Sequence, residues 1–299
     1  MTGVTSVAVL EWITIVTPLA VRFRDEATLG FFSDDLAVAV YPLGAPELKT
    51  DGVVNRSGVF VFRNLPGLRD VEHGSGDADF WTANPPRLDF VLEVRDAAGR
   101  FLPESLRVKL PQRHPLGLAI GSPIASPPVF QTGDDTAFLP LYSAASRPVP
   151  EGMAVLRAEL WDADAKEPAA WAMVEATAGE QRTVAGLADA GGRVMLPLPY
   201  PKPVVALGSP LGSPPGGSPG TGGPITQQSW PVAFTVRYGR RTPAPGIPGV
   251  PDLADVLTQP AVTAWQETSR TTPWTSATLR YGRELVLASH GSSTLLITS

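Results

Sequence analysis

The chain has 299 residues, enough for two domains of ordinary size that each bury a core. Its hydrophobic fraction of 43% excludes a disordered chain, and its net charge of −5 argues against a nucleic-acid binder, which needs a dense basic face. The absence of cysteine excludes disulfide frameworks, thiolate metal sites and cysteine nucleophiles.

The amino-terminal segment gives no sign of export. It lacks a basic region, and Glu11 interrupts its apolar run, so it does not predict a secretory signal. No apolar stretch approaches the roughly 18–20 residues that a membrane span needs. We therefore expect a soluble chain that is made in the cytoplasm and does not insert into a membrane.

Alternating apolar and polar residues predict short strands in the first third of the chain. These strands lie at Leu19–Arg24, Leu36–Val40, Gly58–Phe62, Leu88–Val94 and Leu106–Leu110. Short strands separated by turn residues, such as Asn64-Leu65-Pro66-Gly67, are typical of a β-sandwich. We assign residues 1–111 to an N-terminal β-sandwich.

Residues 112–150 are rich in proline, serine and glycine, with a short apolar patch at Ala137–Tyr142. We interpret them as a bridge on the surface of one or both modules. Alternation then resumes, which predicts a second β-sandwich over residues 151–299. Its predicted strands are Leu156–Leu160, Ala172–Ala176, Gly191–Leu196, Val232–Tyr238, Ala277–Tyr281, Glu284–Ala288 and Thr294–Ile297.

Three features of the second half depart from this pattern. Residues 201–224 hold seven prolines and seven glycines, a composition that favours a mobile insertion rather than a specific ligand-binding loop. We expect this insertion to become ordered only where a neighbouring subunit covers it. Asp252 is a candidate N-cap for one short helix at about 253–267, which Pro260 should break or restart. The tail after Ser292 should be the last strand of this sandwich, or else add to a partner's sheet.

The two halves resemble one another. Val21-Arg22-Phe23-Arg24-Asp25 and a later strand at Leu36 are echoed by Ala158-Glu159-Leu160-Trp161-Asp162 and a later strand at Trp171. Each pair leads to a glycine followed by another strand. We infer two related all-β modules in tandem.

No residue set predicts catalysis or metal binding. His73, His114 and His290 lie far apart in presumed loops, and His73-Gly74-Ser75-Gly76-Asp77 cannot form a triad from sequence neighbours. Asp162-Ala163-Asp164 with Glu167 lacks the glycine of a calcium loop, which leaves a turn with solvated carboxylates. We therefore predict no catalytic, cofactor-binding or metal residues, no cofactor and no enzyme activity.

Paired acids and tryptophans are the remaining candidates. Asp34-Asp35 and Asp134-Asp135 are most simply exposed loop charges. The seven tryptophans could form a sugar-stacking platform, although such residues more often fill sandwich cores and interfaces. Arginines far outnumber lysines, which reflects either genome composition or a protein-interface role.

The sandwich pattern resembles the carboxypeptidase regulatory-like, or transthyretin-like, domain. Its hairpin pattern D-x-x-G-R-F is matched well by Asp189-Ala190-Gly191-Gly192-Arg193-Val194 and loosely by Asn55-Arg56-Ser57-Gly58-Val59-Phe60. The resemblance implies tandem Ig-like/transthyretin-like modules that serve as structural or interaction units without catalysis.

Most of the chain also resembles proteins encoded with bacterial contractile injection systems, the phage-tail-like particles related to antifeeding prophages and Photorhabdus virulence cassettes. Val21–Asp25, Asn55–Leu68, Ala158–Asp162 and Tyr281–Leu287 carry this resemblance. It implies a structural subunit, at the cap or tube end or in the baseplate. The expected partners are tube, sheath, cap or baseplate proteins and further copies of this chain. Such a particle is assembled in the cytoplasm and can be released outside the cell.

A different class of function stays open. The tryptophan count and the sandwich fold are compatible with a surface module that binds carbohydrate or a receptor. That alternative predicts exposed indole rings at Trp81, Trp230 or Trp274.

Overall fold

The computed structural model describes residues 16–74, 78–83, 85–117, 137–202, 225–240 and 246–298. These residues form twenty β-strands and three short α-helices, arranged in sheets around two apolar cores. The predicted all-β class, with two sandwich modules in tandem, is confirmed. The predicted insertion at 201–224 falls almost wholly on residues 203–224, which lie outside the described residues.

The first module comprises ten strands. They are β1 (Leu19–Val21), β2 (Phe23–Asp25), β3 (Phe31–Phe32), β4 (Leu36–Pro42), β5 (Thr50–Asp51), β6 (Val53–Val54), β7 (Phe60–Phe62), β8 (Leu88–Asp96), β9 (Glu104–Leu110) and β10 (Leu139–Leu141). Two helices, α1 (Arg69–Glu72) and α2 (Ala78–Thr82), lie between β7 and β8. One layer is the antiparallel sheet β5-β4-β8-β9, and the other consists of the small sheets β1-β7-β6 and β10-β2-β3.

Side-chain alternation explains how these layers pack. Leu19, Val21 and Phe23 are fully buried between the layers, whereas the alternate residues Arg22 and Arg24 are only partly covered. The ring of Phe23 meets that of Phe60 edge-on at a centroid distance of 5.5 Å. The predicted half-buried strand is therefore confirmed, because its period of two matches the pleat of a sheet.

The surface bridge predicted at 112–150 is wrong for residues 137–143, which are buried. Here β10 pairs in parallel with β2, Leu139 opposite Phe23 and Leu141 opposite Asp25. Pro140 fits because β10 is an edge strand of its sheet, where a missing backbone N–H costs no ladder bond. These residues pack as part of the first module. The domain boundaries themselves stay predictions.

The second module contains the remaining strands and one helix. They are β11 (Met153–Asp162), β12 (Glu167–Pro168), β13 (Met173–Ala178), β14 (Val184–Leu187), β15 (Arg193–Pro199), β16 (Ser229–Arg237), α3 (Leu253–Leu257), β17 (Ala261–Ala264), β18 (Ser276–Arg280), β19 (Leu285–Leu287) and β20 (Leu295–Thr298). All ten strands join one hydrogen-bonded sheet that curls around the second core. The last three strands match their predicted positions to within two residues.

The two modules share a strand arrangement. The β1–β2 segment pairs antiparallel with β7 and parallel with β10, just as β11 pairs antiparallel with β15 and parallel with β20. Likewise β4 pairs with β8 as β13 pairs with β16. The tail strand β20 therefore packs in its own module, as its simpler interpretation predicted.

The predicted helix at 253–267 is too long. Helix α3 ends at Leu257, and β17 begins only four residues later. Pro260 is the reason, because proline clashes with a preceding helical turn and disfavours helix at the residue before it. The predicted N-cap is confirmed, since the Asp252 side chain accepts the backbone N–H of Ala254 at 2.9 Å.

Candidate functional site

The histidines and the predicted calcium-like turn form no reactive centre. His73 and His290 are exposed, and His114 is half-buried in another loop. Within the described ranges no group of three His, Cys, Asp or Glu side chains is placed to hold a metal ion. In the same ranges, no helix is both long and apolar enough to cross a membrane. Ser75–Asp77 and Asp134-Asp135 lie outside the described residues.

Asp162 has a structural role in its turn. It is only 2% exposed, which corrects the expected solvated carboxylate. One carboxylate oxygen accepts the backbone N–H groups of Asp164 and Ala165, at 3.0 and 3.1 Å. The backbone N–H of Lys166 donates to the Asp162 carbonyl, and Lys166 adopts a φ of 60°. The turn is held by backbone groups, which leaves this oxygen little capacity to bind a cation.

Asp25 occupies the corresponding turn of the first module and carries an additional ion pair. Its carboxylate accepts the Ala27 backbone N–H at 3.0 Å and the Thr28 hydroxyl at 2.7 Å. The Arg147 guanidinium donates two bonds to the two oxygens, at 3.0 and 2.6 Å. Burial raises the pKa of Asp25, but the bonds from Arg147 and Thr28 outweigh it, and the pKa lies below its ordinary value. This pair ties the end of the predicted bridge to strand β2.

The hairpin pattern D-x-x-G-R occurs in both modules. In Asp189–Arg193 the Asp189 carboxylate accepts two backbone N–H groups and pairs with Arg193 at 3.1 Å. The sequence Asp96-Ala97-Ala98-Gly99-Arg100-Phe101 forms the same turn, and Arg100 pairs with Asp96 at 2.7 Å. The loose match at Asn55 forms this turn as well, because its side-chain oxygen accepts the backbone N–H groups of Ser57 and Val59, at 2.9 and 3.0 Å. Gly99 and Gly192 both have a positive φ, of 66° and 79°, which explains the glycine in the pattern.

The two modules meet at an apolar junction. The first core includes nine side chains from the second half of the chain: Trp171, Met173, Ala185, Leu187, Ile247, Val250, Leu253, Val256 and Leu257. One face of β13 and β14 builds the second core, and Met173, Ala185 and Leu187 project from the other face. These two strands are therefore covered on both faces.

Helix α3 fixes one side of this junction. Asp252, besides capping the helix, accepts the backbone N–H of Arg107 in β9 at 2.8 Å. The fully buried Gln259 donates to the Trp171 carbonyl at 2.8 Å and accepts the Gly239 N–H at 2.9 Å. Trp171 adopts a φ of 62°, which is rare for a bulky residue and is held by these surroundings.

A cluster of buried and partly buried ionisable groups lies at the junction, and we call it the junction cluster: Arg24, Glu26, Glu104, Tyr142 and Arg182. Arg182, from the turn after β13, donates to the backbone carbonyls of Glu26 and Ala27. Arg24 pairs with Glu26 at 3.3 Å and lies over the ring of Phe138. Burial raises the pKa of Glu26 despite the two guanidinium groups beside it.

Glu104 and Tyr142 are the least satisfied members of the junction cluster. Among the described residues neither carboxyl oxygen of Glu104 nor the Tyr142 hydroxyl has a hydrogen-bond partner. Burial raises the pKa of Glu104 well above its ordinary value. The nearby backbone N–H of Tyr142 lowers this pKa in part, although it makes no hydrogen bond to Glu104. Burial also raises the pKa of Tyr142, and the carboxyl groups of Glu26 and Glu104 add to the effect. Burial therefore favours the neutral form of Glu104.

The tryptophans do not form an exposed platform in the described part of the chain. Trp171 and Trp230 are buried, and Trp81, Trp161, Trp265 and Trp274 are half-buried. The indole N–H of Trp265 donates to the Thr298 hydroxyl at 2.9 Å, and Trp274 meets the ring of Phe234 edge-on. The exposure that the carbohydrate-binding alternative requires is absent at Trp230. Trp12 lies outside the described residues.

Several clefts indent the described surface. One, of about 520 Å³, lies beside β11 and β15 and is lined in part by Arg157, Glu159 and Val286. A second, of about 430 Å³, is lined by Trp171, Tyr238 and Arg240 among others. Another, of about 360 Å³, is lined by polar and basic side chains in the described part of the chain.

Neither a protein-family model nor a curated protein sequence matches the chain. Among solved structures it is similar to the shaft pilin SpaA from Lactobacillus rhamnosus GG, at 7% identity and a TM-score of 0.21, over 94% of this chain and 96% of that one. It is also similar to a putative adhesin from Bacteroides ovatus ATCC 8483, at 8% identity and a TM-score of 0.22, over 99% and 97%. Similarity at this level indicates neither a shared family nor a shared activity.

Proposed function

We propose that this chain is a non-enzymatic structural protein that acts as one rigid two-module unit. The observation that carries the proposal is the junction, where apolar side chains from the second half complete the first core. Independent binding domains are usually joined by flexible linkers and small polar interfaces, which permit relative motion. A large apolar junction instead opposes relative motion of the two modules.

We further propose that the unit is a subunit of a phage-tail-like contractile injection particle, at its cap, tube end or baseplate. This assignment rests on the resemblance of four sequence segments to proteins encoded with such particles. In it, the chain contacts tube, sheath, cap or baseplate proteins and further copies of itself. The particle is assembled in the cytoplasm before release.

The distribution of exposed apolar residues supports subunit contacts through the first module. Most of the exposed large apolar side chains among the described residues lie there: Leu29, Phe31, Leu43, Leu48, Val53, Val54 and Leu88. Phe31 lies on β3 and the two valines lie on β6, and both strands are edges of their small sheets. Open edges with apolar side chains are suited to pairing with a strand of another subunit.

Particles purified from a strain that carries a tagged chain test this proposal. We expect the tag to sediment with intact particles, and a deletion strain to yield particles with a defect in assembly or contraction. A Val53→Asp/Val54→Asp chain should fold but be lost from particles. Val286→Asp, a charge at an exposed valine of the second module, is the matched control and should be retained. Particles that assemble and contract normally without the chain would overturn the particle assignment.

A surface carbohydrate- or receptor-binding module is the second candidate function. The tryptophans do not favour it, because Trp230 is buried against Tyr200 and Trp274 packs on Phe234. Quenching of tryptophan fluorescence by a soluble agent such as acrylamide tests this directly. Weak quenching is expected, whereas strong quenching lost on addition of a glycan would favour the binding module.

A further inference from the structure

The cleft of about 360 Å³ lies at one end of the second module, where β16 begins and β18 ends. Its lining is made of Thr226, Gln227, Gln228, Ser229, Arg280 and Arg283. The described lining therefore offers hydroxyl, amide and guanidinium groups, with neither a carboxylate nor an apolar side chain among the described residues. A cleft of this composition is suited to a ligand that is both anionic and rich in hydrogen-bonding groups.

The backbone places the two arginines on a defined turn. Arg280 lies directly opposite Ser229 in the antiparallel ladder, so both side chains leave the sheet on the same face. The backbone N–H of Tyr281 donates to the Gln228 carbonyl at 3.1 Å, and that of Arg283 donates to the Arg280 carbonyl at 3.2 Å. Gly282, with a φ of 68°, permits this tight reversal.

Aromatic packing holds the turn to the core. The Tyr281 ring lies 4.9 Å from that of Tyr200, which in turn lies 5.8 Å from the ring of the buried Trp230. The Tyr200 hydroxyl accepts the backbone N–H of Gly282 at 2.9 Å. The turn is anchored at three points, so little conformational entropy remains to be lost there when a ligand binds.

Both arginines are free to meet an anion. Each is exposed, and among the described residues neither takes part in an ion pair. Two guanidinium forks that line one cleft can bind a carboxylate or sulfate through paired N–H···O bonds, which lysine could not reproduce. The chain has a net charge of −5, so a cleft lined by two cationic side chains differs in sign from the charge of the protein as a whole.

We propose that this cleft binds the acidic unit of an anionic polysaccharide through the carboxylate or sulfate group of the sugar. Sugar hydroxyls complement the amide and hydroxyl groups of Thr226, Gln227, Gln228 and Ser229. An acidic peptide would gain less, because peptide recognition depends on apolar anchors that this lining lacks. A nucleic acid would need a far more extended basic face. The proposal is independent of membership in a particle.

Affinity electrophoresis and titration calorimetry of the full chain test the proposal. The probes are polygalacturonate for carboxylate, heparin for sulfate, dextran as the neutral polymer and polyglutamate as the acidic peptide. We expect binding to polygalacturonate, heparin or both, and none to dextran. The Arg280→Gln/Arg283→Gln chain should bind at least about tenfold more weakly, since charge-assisted bonds are lost.

The matched control is Arg56→Gln/Arg63→Gln, which removes the same charge at two exposed positions of the first module. It should bind within about twofold of the unmodified chain, because the effect is local and not one of net charge. Arg283→Lys, a milder change that keeps the charge, should give an intermediate loss and guards against misfolding of the double variant. Three results would each overturn the proposal. The first is an equal loss of binding in both double variants, and the second is absence of binding to both acidic polysaccharides. The third is binding of polyglutamate that is equally tight and equally dependent on Arg280.

Discussion

The two modules share a strand arrangement but differ in how their cores are completed. Every described member of the second core comes from residues 154–297, within the second module itself. The first core instead draws nine members from the second half of the chain, five of them from residues 247–257 around α3. The first core therefore depends on side chains of the second module, whereas the second core contains no described side chain of the first.

The same strand arrangement therefore forms a self-contained core in one module and a core shared with its neighbour in the other. The second module is a self-contained sandwich that offers the outer face of β13 and β14 as a platform. The first module uses that platform and α3 as parts of its own interior. Burial of apolar surface stabilises by about 25 cal/mol per Å², so such a shared interior contributes much more than exposed ion pairs, which add at most about 1 kcal/mol each.

The largest effect of a single substitution is expected at Arg147, which tests whether buried pairs hold the first module. Arg147→Ala leaves the Asp25 carboxylate buried without its partner and should lower the free energy of unfolding by about 3–5 kcal/mol. Because the pKa of Asp25 is depressed, this contribution is present above its ordinary pKa and is lost as the pH falls through the folded-state value. Arg193→Ala breaks the more exposed pair with Asp189 and should cost at most about 1 kcal/mol. Urea unfolding at pH 7 compares them, and equal losses would contradict the ranking.

A cavity in α3 should distinguish the modules from each other. Leu257 is 1% exposed and packs in the first core, so Leu257→Ala should cost about 2–5 kcal/mol. Hydrogen exchange should then accelerate in β4, β8 and β9 of the first module, although the substitution lies in the second half of the chain. Leu160→Ala, also fully buried, should instead accelerate exchange in the strands around the second core. Loss of protection confined to the second module in the Leu257 variant would sink the shared-core account.

The effect at Glu104 is the smallest of the three at pH 4, where it is near zero, and it grows with pH. The raised pKa means that the folded chain keeps this carboxyl neutral, at a cost that appears as the pH rises above the unfolded value near 4.5. Glu104→Gln cannot ionise, so it should match the unmodified chain at pH 4 and exceed it in stability at higher pH. The difference should grow by about 1.4 kcal/mol per pH unit until the folded-state pKa is reached. Glu159→Gln, at an exposed position, should show no such slope in melting curves recorded from pH 4 to 8.

Local patterns in the sequence predicted the elements that depend on local physics. The alternation at Leu19–Arg24 and the capping side chain of Asp252 both rest on neighbouring residues, and both are confirmed. Strand β14 was missed because both of its faces are buried, so Val184-Ala185-Gly186-Leu187 shows no alternation. Strand β10 was missed because its pairing partner lies more than a hundred residues away.

Long-range contacts also decide the candidate sites. Asp25 and Arg147 are 122 residues apart, and nothing in either neighbourhood predicts their pairing. The junction cluster has no sequence signal beyond isolated charged residues in apolar strands. The arginine cleft has one signal in the sequence, Arg280-Tyr281-Gly282-Arg283, whose glycine indicates a turn with an arginine on either side. Its polar wall from Thr226 to Ser229 becomes apparent only when β16 pairs with β18.

Separate expression of the two modules tests the shared-core account most directly. We expect residues 151–299 to fold alone, with dispersed amide resonances and a cooperative melting transition. Residues 1–150 alone should lack a cooperative transition and should gain one when mixed with 151–299, because the platform and α3 complete the first core. A chain of residues 1–150 that folds alone, with a stability that the second fragment does not raise, would contradict the account.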